Sequence, residues 1–253
     1  MELRAENLVL PGRLDGISLS VRTREVTAIV GPNGAGKSSL LACLAGLLDP
    51  ASGTVSLNGR DLHSLEPRDR ARRIGFLPQS PEIAWDVTVE TLVSLGRLPW
   101  QGSPLHVPHA TAAEDAAAIE KAIAAMDLAP LRHRPVSRLS GGERAQALAA
   151  RVLAGEPALV LADEPLANLD LAHAAALMRL LRAEVQARRG VVLVLHDLAT
   201  AMNRADRVVV LDQGRIVADG MPEQALDADT VSRVWQVRAR WTGEPGAQAL
   251  SVD

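Results

Sequence analysis

No tyrosine occurs in the 253 residues, Phe76 is the only phenylalanine and Cys43 the only cysteine. One cysteine excludes an internal disulfide and fits a reducing compartment. Cys43 sits among Leu40, Leu41, Leu44 and Leu47, which is the setting of a buried thiol rather than a reactive one. With four tryptophans as the only other large rings, few side chains remain to stack on a planar ligand. No apolar run approaches the ~18 residues that cross a bilayer. Met1–Asn7 carries Glu2, Arg4 and Glu6, so it does not read as a signal peptide. These absences predict a chain that reaches a membrane, if at all, only through a partner. The net charge of −3 gives no electrostatic footprint for nucleic acid. With 47% hydrophobic and 23% charged residues, the length suits one substantial core with a smaller subdomain.

What is present is organised around Gly31-Pro32-Asn33-Gly34-Ala35-Gly36-Lys37-Ser38-Ser39. Gly31, Gly36, Lys37 and Ser38 match the spacing G-x-x-x-x-G-K-[ST], between the apolar run Val26–Val30 and the helix-compatible stretch Leu40–Leu48. Glycines let phosphate oxygens approach backbone N–H groups, and the loop delivers them to a helix N-terminus. Lys37 would place a charge near the β- and γ-phosphates, and the Ser38 hydroxyl would ligate Mg²⁺.

Residues 2–9 and 17–21 alternate like half-buried strands. Gly53–Leu57 with Asn58-Gly59 reads as a strand and tight turn, Arg68–Arg73 as a short basic helix and Ile74–Leu77 as a strand. From Pro81 to Arg138 strand patterns give way to Ala-rich helical ones. Thr88–Gly96 reads as helical. Thr111 and Glu114 form a capping box for a helix reaching about Asp127, with Ile119, Ile123 and Met126 as its apolar stripe. After Ser140 helix and strand alternate again, through Ser140–Ala154, Ala158–Ala162, Leu171–Arg188, Val191–Leu195, a helix capped by Asp197, and a hairpin around Asp212-Gln213-Gly214. That alternation indicates an α/β fold with a mainly parallel sheet. The Gly- and Pro-containing stretch 243–253 reads as a mobile tail.

Three further stretches carry chemistry. Leu159–Asp163 is an apolar strand ending in Asp163 and Glu164, and ligands bind beyond the carboxyl ends of parallel strands. Asp163 can then approach Mg²⁺ held by Ser38, and Glu164 can act on the attacking water. His196 ends the other buried strand, either as a γ-phosphate contact or as an ordinary histidine beside the cap Asp197. Ser140-Gly141-Gly142-Glu143 is a capping box, yet its two glycines serve no capping purpose. They permit close backbone approach, and a helix start is a second anion site. Two such sites in one chain suggest a head-to-tail dimer, with ATP between Lys37 of one copy and Ser140 of the other.

The set resembles the ATP-binding subunit of an ABC transporter, over about residues 1–240. In that resemblance Gly31–Ser39 is the Walker A loop, Leu139–Glu143 the signature motif and Leu159–Glu164 Walker B with its catalytic glutamate. Leu169-Asp170 resembles the D-loop, His196 the switch histidine, and Gln79 the Q-loop glutamine that touches Mg²⁺ and senses the membrane subunit. The resemblance implies a P-loop NTPase core with an N-terminal antiparallel β subdomain and an inserted α-helical subdomain. The expected division is one domain, 1–242, with a RecA-like core (1–80 and 139–242) and the helical insertion at 81–138. It implies ATP and Mg²⁺ as cofactors and a second copy of the chain as partner. It also implies polytopic permease subunits, indirectly an extracytoplasmic binding protein, and no nucleic acid. The expected location is the cytoplasmic face of the inner membrane, peripherally through the permease. Thr88–Arg97 is similar to ATPases that import iron–siderophore, haem or cobalamin. The alternatives are an ABC ATPase for another cargo or for export, and a non-transport ABC ATPase of DNA repair or translation.

Several residues stand outside this scheme. Trp85 and Trp100 near the ends of the insertion would pack it or line a partner groove. His106 and His109 flank Pro108 without carboxylate or thiol partners and read as loop residues rather than metal ligands. Arg68, Arg70, Arg72 and Arg73 read as a solvated face. The residue after Glu143 is Arg144, where the family more often has Gln. The family also places an aromatic before Walker A to stack on adenine, and residues 1–30 hold none. Leu10 or Arg13 is expected to cover the base instead. The chain should therefore bind ATP and GTP with comparable affinity in competition titrations. A strong preference for ATP would overturn that expectation.

Overall fold

The computed structural model describes residues 1–79, 86–102, 109–167 and 169–252. The chain opens with strands β1 (Glu2–Leu10), β2 (Leu14–Arg22) and β3 (Val26–Val30), then helix α1 (Lys37–Leu44). Strands β4 (Ser52–Leu57) and β5 (Arg60–Asp61) follow, then α2 (Pro67–Arg73) and β6 (Ile74–Leu77). Next come α3 (Val89–Ser94), α4 (Ala112–Ala125) and α5 (Gly141–Ala154). The chain returns to alternation with β7 (Leu159–Asp163), α6 (Leu171–Gln186), β8 (Gly190–Val194), α7 (Leu198–Arg204), β9 (Arg207–Asp212) and β10 (Arg215–Gly220). It closes with α8 (Pro222–Ala225), α9 (Ala228–Trp235), β11 (Ala239–Thr242) and β12 (Ala249–Val252).

A six-stranded sheet runs β10-β9-β3-β8-β7-β6, parallel except at β10. Every residue of β3, β7 and β8 is buried, as their largely apolar sequences require when both faces of a sheet are covered. Side chains alternate between two cores. Ile29, Leu159, Leu161, Val192 and Val194 face α1 and the antiparallel sheet β2-β1-β4-β5. Ala28, Val30, Val160, Ala162, Val191 and Leu193 face the opposite core, with α5, α6 and α7. Cys43 is buried in the first core, and burial pushes its thiol up from the ordinary range.

The expected local signals are present. Asn58 and Gly59 take positive φ in the β4–β5 turn. Thr111 and Glu114 form both arms of the capping box on α4. Asp197 accepts from Ala199 N and Thr200 N at the start of α7. Ile123 and Met126 are buried and Ile119 packs beside them. Trp85 and His106 lie outside the described residues, and His109 is exposed.

Two readings need correction. The stretch from Gly243 does not trail as a mobile tail. Gly243 and Gly246 supply the turn of the β11–β12 hairpin, and Asn203 on α7 grips it, donating to Gln248 O at 2.7 Å and accepting from Gln248 N at 2.8 Å. The basic run of α2 is not simply solvated. Arg68 donates to Gln101 O at 2.7 Å and Arg72 to Pro99 O at 3.0 Å, so helix α2 carries the loop after α3.

That loop is anchored by Arg97, a guanidinium with only 2% of its surface exposed. It donates to Asp115 Oδ1 at 2.7 Å, Ala154 O at 3.0 Å and Glu156 Oε2 at 3.2 Å, and stacks 4.8 Å from the Trp100 ring centroid. Trp100 itself donates to Gly155 O at 2.9 Å, so it packs the helices together. Removing one partner of a buried ion pair strands the other. Arg97→Leu should destabilise the chain by about 3 kcal/mol in chemical unfolding. Arg97→Lys should recover little, because one ammonium cannot reproduce the fork.

Candidate functional site

The parallel register brings four strand ends together. Val194 stands beside both Ile29 and Asp163, and Leu77 beside Ala162. The loop after β3, the carboxylates ending β7, His196 after β8 and Gln79 after β6 therefore leave one edge of the sheet.

The loop Gly31–Ser39 wraps closely against its surroundings. A Cβ on Gly31 would lie 2.1 Å from Leu211 O, and one on Gly36 would lie 2.4 Å from Arg13 O. Gly36 is the N-cap of α1 with no side-chain cap, so the first N–H groups of the helix remain free for an anion. Buried Lys37 donates from Nζ to Gly31 O at 2.8 Å and Pro32 O at 3.0 Å. Burial holds its ammonium below the ordinary lysine range, against the opposing pull of Glu164 and Asp163.

Ser38 Oγ donates to Asp163 Oδ1 at 3.1 Å. Burial raises the Asp163 carboxyl above its ordinary range; the Ser38 bond works the other way, neighbouring Glu164 adds to the rise, and Lys37 and His196 oppose it. Glu164 takes a positive φ of 50° as the chain turns out of β7. Its two carboxylate oxygens are divided between neighbours: Gln79 Nε2 donates to Oε2 at 2.5 Å, and His196 Nε2 hydrogen-bonds Oε1. Ser38, Asp163 and the Gln79 amide are hard oxygen donors. The 3.1 Å Ser38–Asp163 approach suits a small divalent cation bound between them. Among the described residues no cluster of His, Cys, Asp or Glu forms a separate metal site.

A cavity of about 500 Å³ opens over this edge, lined by Asn33, Gly34, Gly36–Ser39, Glu164 and His196 on one side and Gly12 and Arg13 on the other. Among the described residues no Phe or Trp lines it, and neither does Leu10. Arg13 does, and it donates to Ser39 Oγ at 3.3 Å.

Ser140–Glu143 and Asp170 do not line that cavity. Ser140 caps α5, with Ser140 N donating to Glu143 Oε2 at 2.7 Å and Glu143 N to Ser140 Oγ at 3.3 Å. Asp170 caps α6. One side chain that sequence reasoning missed joins them. His173 bonds Asp170 and lies against Gly142, and its place one turn into an ordinary helix gave no signal.

The family model described as ABC transporter matches residues 14–167. The chain belongs to that family. This ABC ATPase is 43% identical to the hemin import ATP-binding protein HmuV of Rhodococcus jostii over 237 residues, 92% of this chain and 79% of that one. It is 35% identical to the cobalamin import ATP-binding protein BtuD of Halobacterium salinarum over 94% of this chain and 59% of that one. Its fold matches a chain of a metal-chelate type ABC transporter solved in an inward-facing conformation, with a TM-score of 0.81, 24% identity and coverage of 99% and 96%. Like the family, the cassette binds ATP and hydrolyses it in support of transport.

The raised Asp163 carboxyl has a consequence for stability. The folded cassette keeps that proton to higher pH than the unfolded chain, so the carboxylate opposes folding above its folded range. The cost vanishes below the unfolded carboxylate range, about pH 4. Asp163→Asn should therefore raise the melting temperature of the nucleotide-free cassette at pH 7 and leave it unchanged at acid pH. A lower melting temperature at pH 7 would contradict this balance.

Proposed function

We propose that this chain is the ATPase subunit of an importer for haem or a related metal chelate, cobalamin being the nearest alternative. The cargo follows from the relatives named above. The energising role rests on one observation above all: the Glu164 carboxylate is held at the P-loop cavity between Gln79 and His196.

Hydrolysis needs positioning and charge neutralisation more than covalent chemistry. Gly31–Ser39 cradles the phosphates with backbone N–H groups and the start of α1. Lys37 leaves the carbonyls of Gly31 and Pro32 for the β- and γ-phosphates. Glu164 orients the attacking water and takes up its proton, and His196 contacts the γ-phosphate. Mg²⁺, held by Ser38, Asp163 and Gln79, supplies charge neutralisation at the phosphate oxygens. Arg13 covers the base, since it lines the cavity and Leu10 does not. Ser140–Glu143 and Asp170 lie outside the cavity of their own chain, which favours a head-to-tail dimer in which they complete the site of the other copy. The helical segment 81–138 would receive permease subunits, and an extracytoplasmic binding protein would deliver the cargo to them. No described helix is long and apolar enough to span a membrane, so the permease would hold the ATPase at the cytoplasmic face.

The complete transporter in lipid vesicles tests this reading. ATP should drive haem uptake. Glu164→Gln should abolish turnover and uptake while retaining ATP and trapping the dimer. Normal hydrolysis by Glu164→Gln would remove the assigned role of Glu164, and uptake of cobalamin but not haem would reassign the cargo.

A further inference from the structure

The first turn of α5 opens with two glycines, which offer a neighbour no side chain to hold. Gly141 has no atom within 4 Å of where a Cβ would stand, so that flank is open. The next residue differs. A Cβ on Gly142 would lie 3.1 Å from Cγ and Nδ1 of His173 and 3.2 Å from Cδ2, which places the backbone of Gly142 against the imidazole. Three ring atoms at nearly one distance describe a face-on approach.

The ring is itself fixed. His173 Nδ1 lies 2.8 Å from Asp170 Oδ2, while His173 N donates to Asp170 Oδ1 at 2.9 Å. One carboxylate thus caps α6 and sets the plane of the imidazole that supports Gly142. Glu143, the next residue, closes the capping box with Ser140 and lies 3.5 Å from Arg134. His173 thus links the start of α5 to the start of α6.

We infer that His173 is a positioning residue for hydrolysis: it holds Ser140–Gly142 and Asp170 as one unit that enters the other copy's ATP site together. The inference rests on the head-to-tail reading given above. Histidine suits the task because it is flat enough to meet a glycine backbone and carries a donor at the ring edge facing Asp170. Even a Cβ at position 142 would press on the ring, at 3.1 Å from Cγ and Nδ1.

His173→Leu keeps comparable bulk and removes the ring's bond to Asp170. Its kcat should fall by about tenfold, as expected for a small misplacement of groups around the phosphates. Binding of a fluorescent ATP analogue to the dilute chain, which reports the Walker A half alone, should stay unchanged. In the Glu164→Gln background, ATP-driven dimerisation followed by analytical ultracentrifugation should require about tenfold more protein. His173→Asn retains a donor near the position of Nδ1 and should recover both quantities. If His173→Leu loses its fold by circular dichroism, His173→Phe, flat but without the donor, replaces it in both assays. Wild-type kcat and dimerisation in the variant lacking the donor would overturn the inference. So would a loss of nucleotide binding in the dilute chain, which marks a general structural defect. If the Glu164→Gln chain with His173 intact stays monomeric with ATP, the head-to-tail reading fails, and the inference with it.

Discussion

Register is the constraint on which this molecule depends. Val194 is flanked by Ile29 on one side and Asp163 on the other. Side chains alternate along a strand, so a slip of one residue in β7 would turn Asp163 away from Ser38 and exchange the two cores. The slip is prevented by burial: Leu159 and Leu161 fill one core, and Val160 and Ala162 the other. Apolar packing on both faces of a sheet thereby fixes the distance between a serine and an aspartate 125 positions apart.

At that edge the electrostatics run against stability. Burial drives Lys37 and Asp163 toward their neutral forms, and each is relieved by opposite charge nearby. Lys37 meanwhile spends its donors on two carbonyls of its own loop. A triphosphate would meet an ammonium already desolvated and already facing inward, so part of the cost of stripping its water is met in folding. The strain of a positive φ at Glu164 belongs to the same pattern, because the turn points its carboxylate toward Gln79 and His196.

What could be read from the sequence was local. The Gly31–Ser39 loop, the caps at Thr111, Ser140 and Asp197, and the buried strands each encode their geometry within a few residues. The placement of Asp163, Glu164 and His196 at one edge was legible too, because strand ends in a parallel sheet share one edge, whereas Gln79 was marked only by resemblance to the family. Contacts between segments were not. Nothing around Arg97 announces that it meets Asp115, Ala154 and Glu156 in the core of the helical layer. Arg68 and Arg72 looked solvated because their carbonyl partners lie some thirty positions onward. The tail looked mobile because its two glycines were read as flexibility when they form a turn, and the grip of Asn203 is 45 positions away. His173 was hidden for the same reason: its two contacts exist only once α5 and α6 lie side by side.

The two cores also differ in what they hold. The strands that launch the P-loop and Asp163 are clamped from both faces, whereas α5 contributes its buried residues to one core alone. The phosphate-gripping edge thus rests on both cores, and the Ser140 turn on one. A push on the helical layer would act through one set of contacts, whereas shifting β3 relative to β7 would break both. In the proposed head-to-tail dimer, force reaching α5 through α3 and α4 would change the spacing between half-sites before it distorted either one.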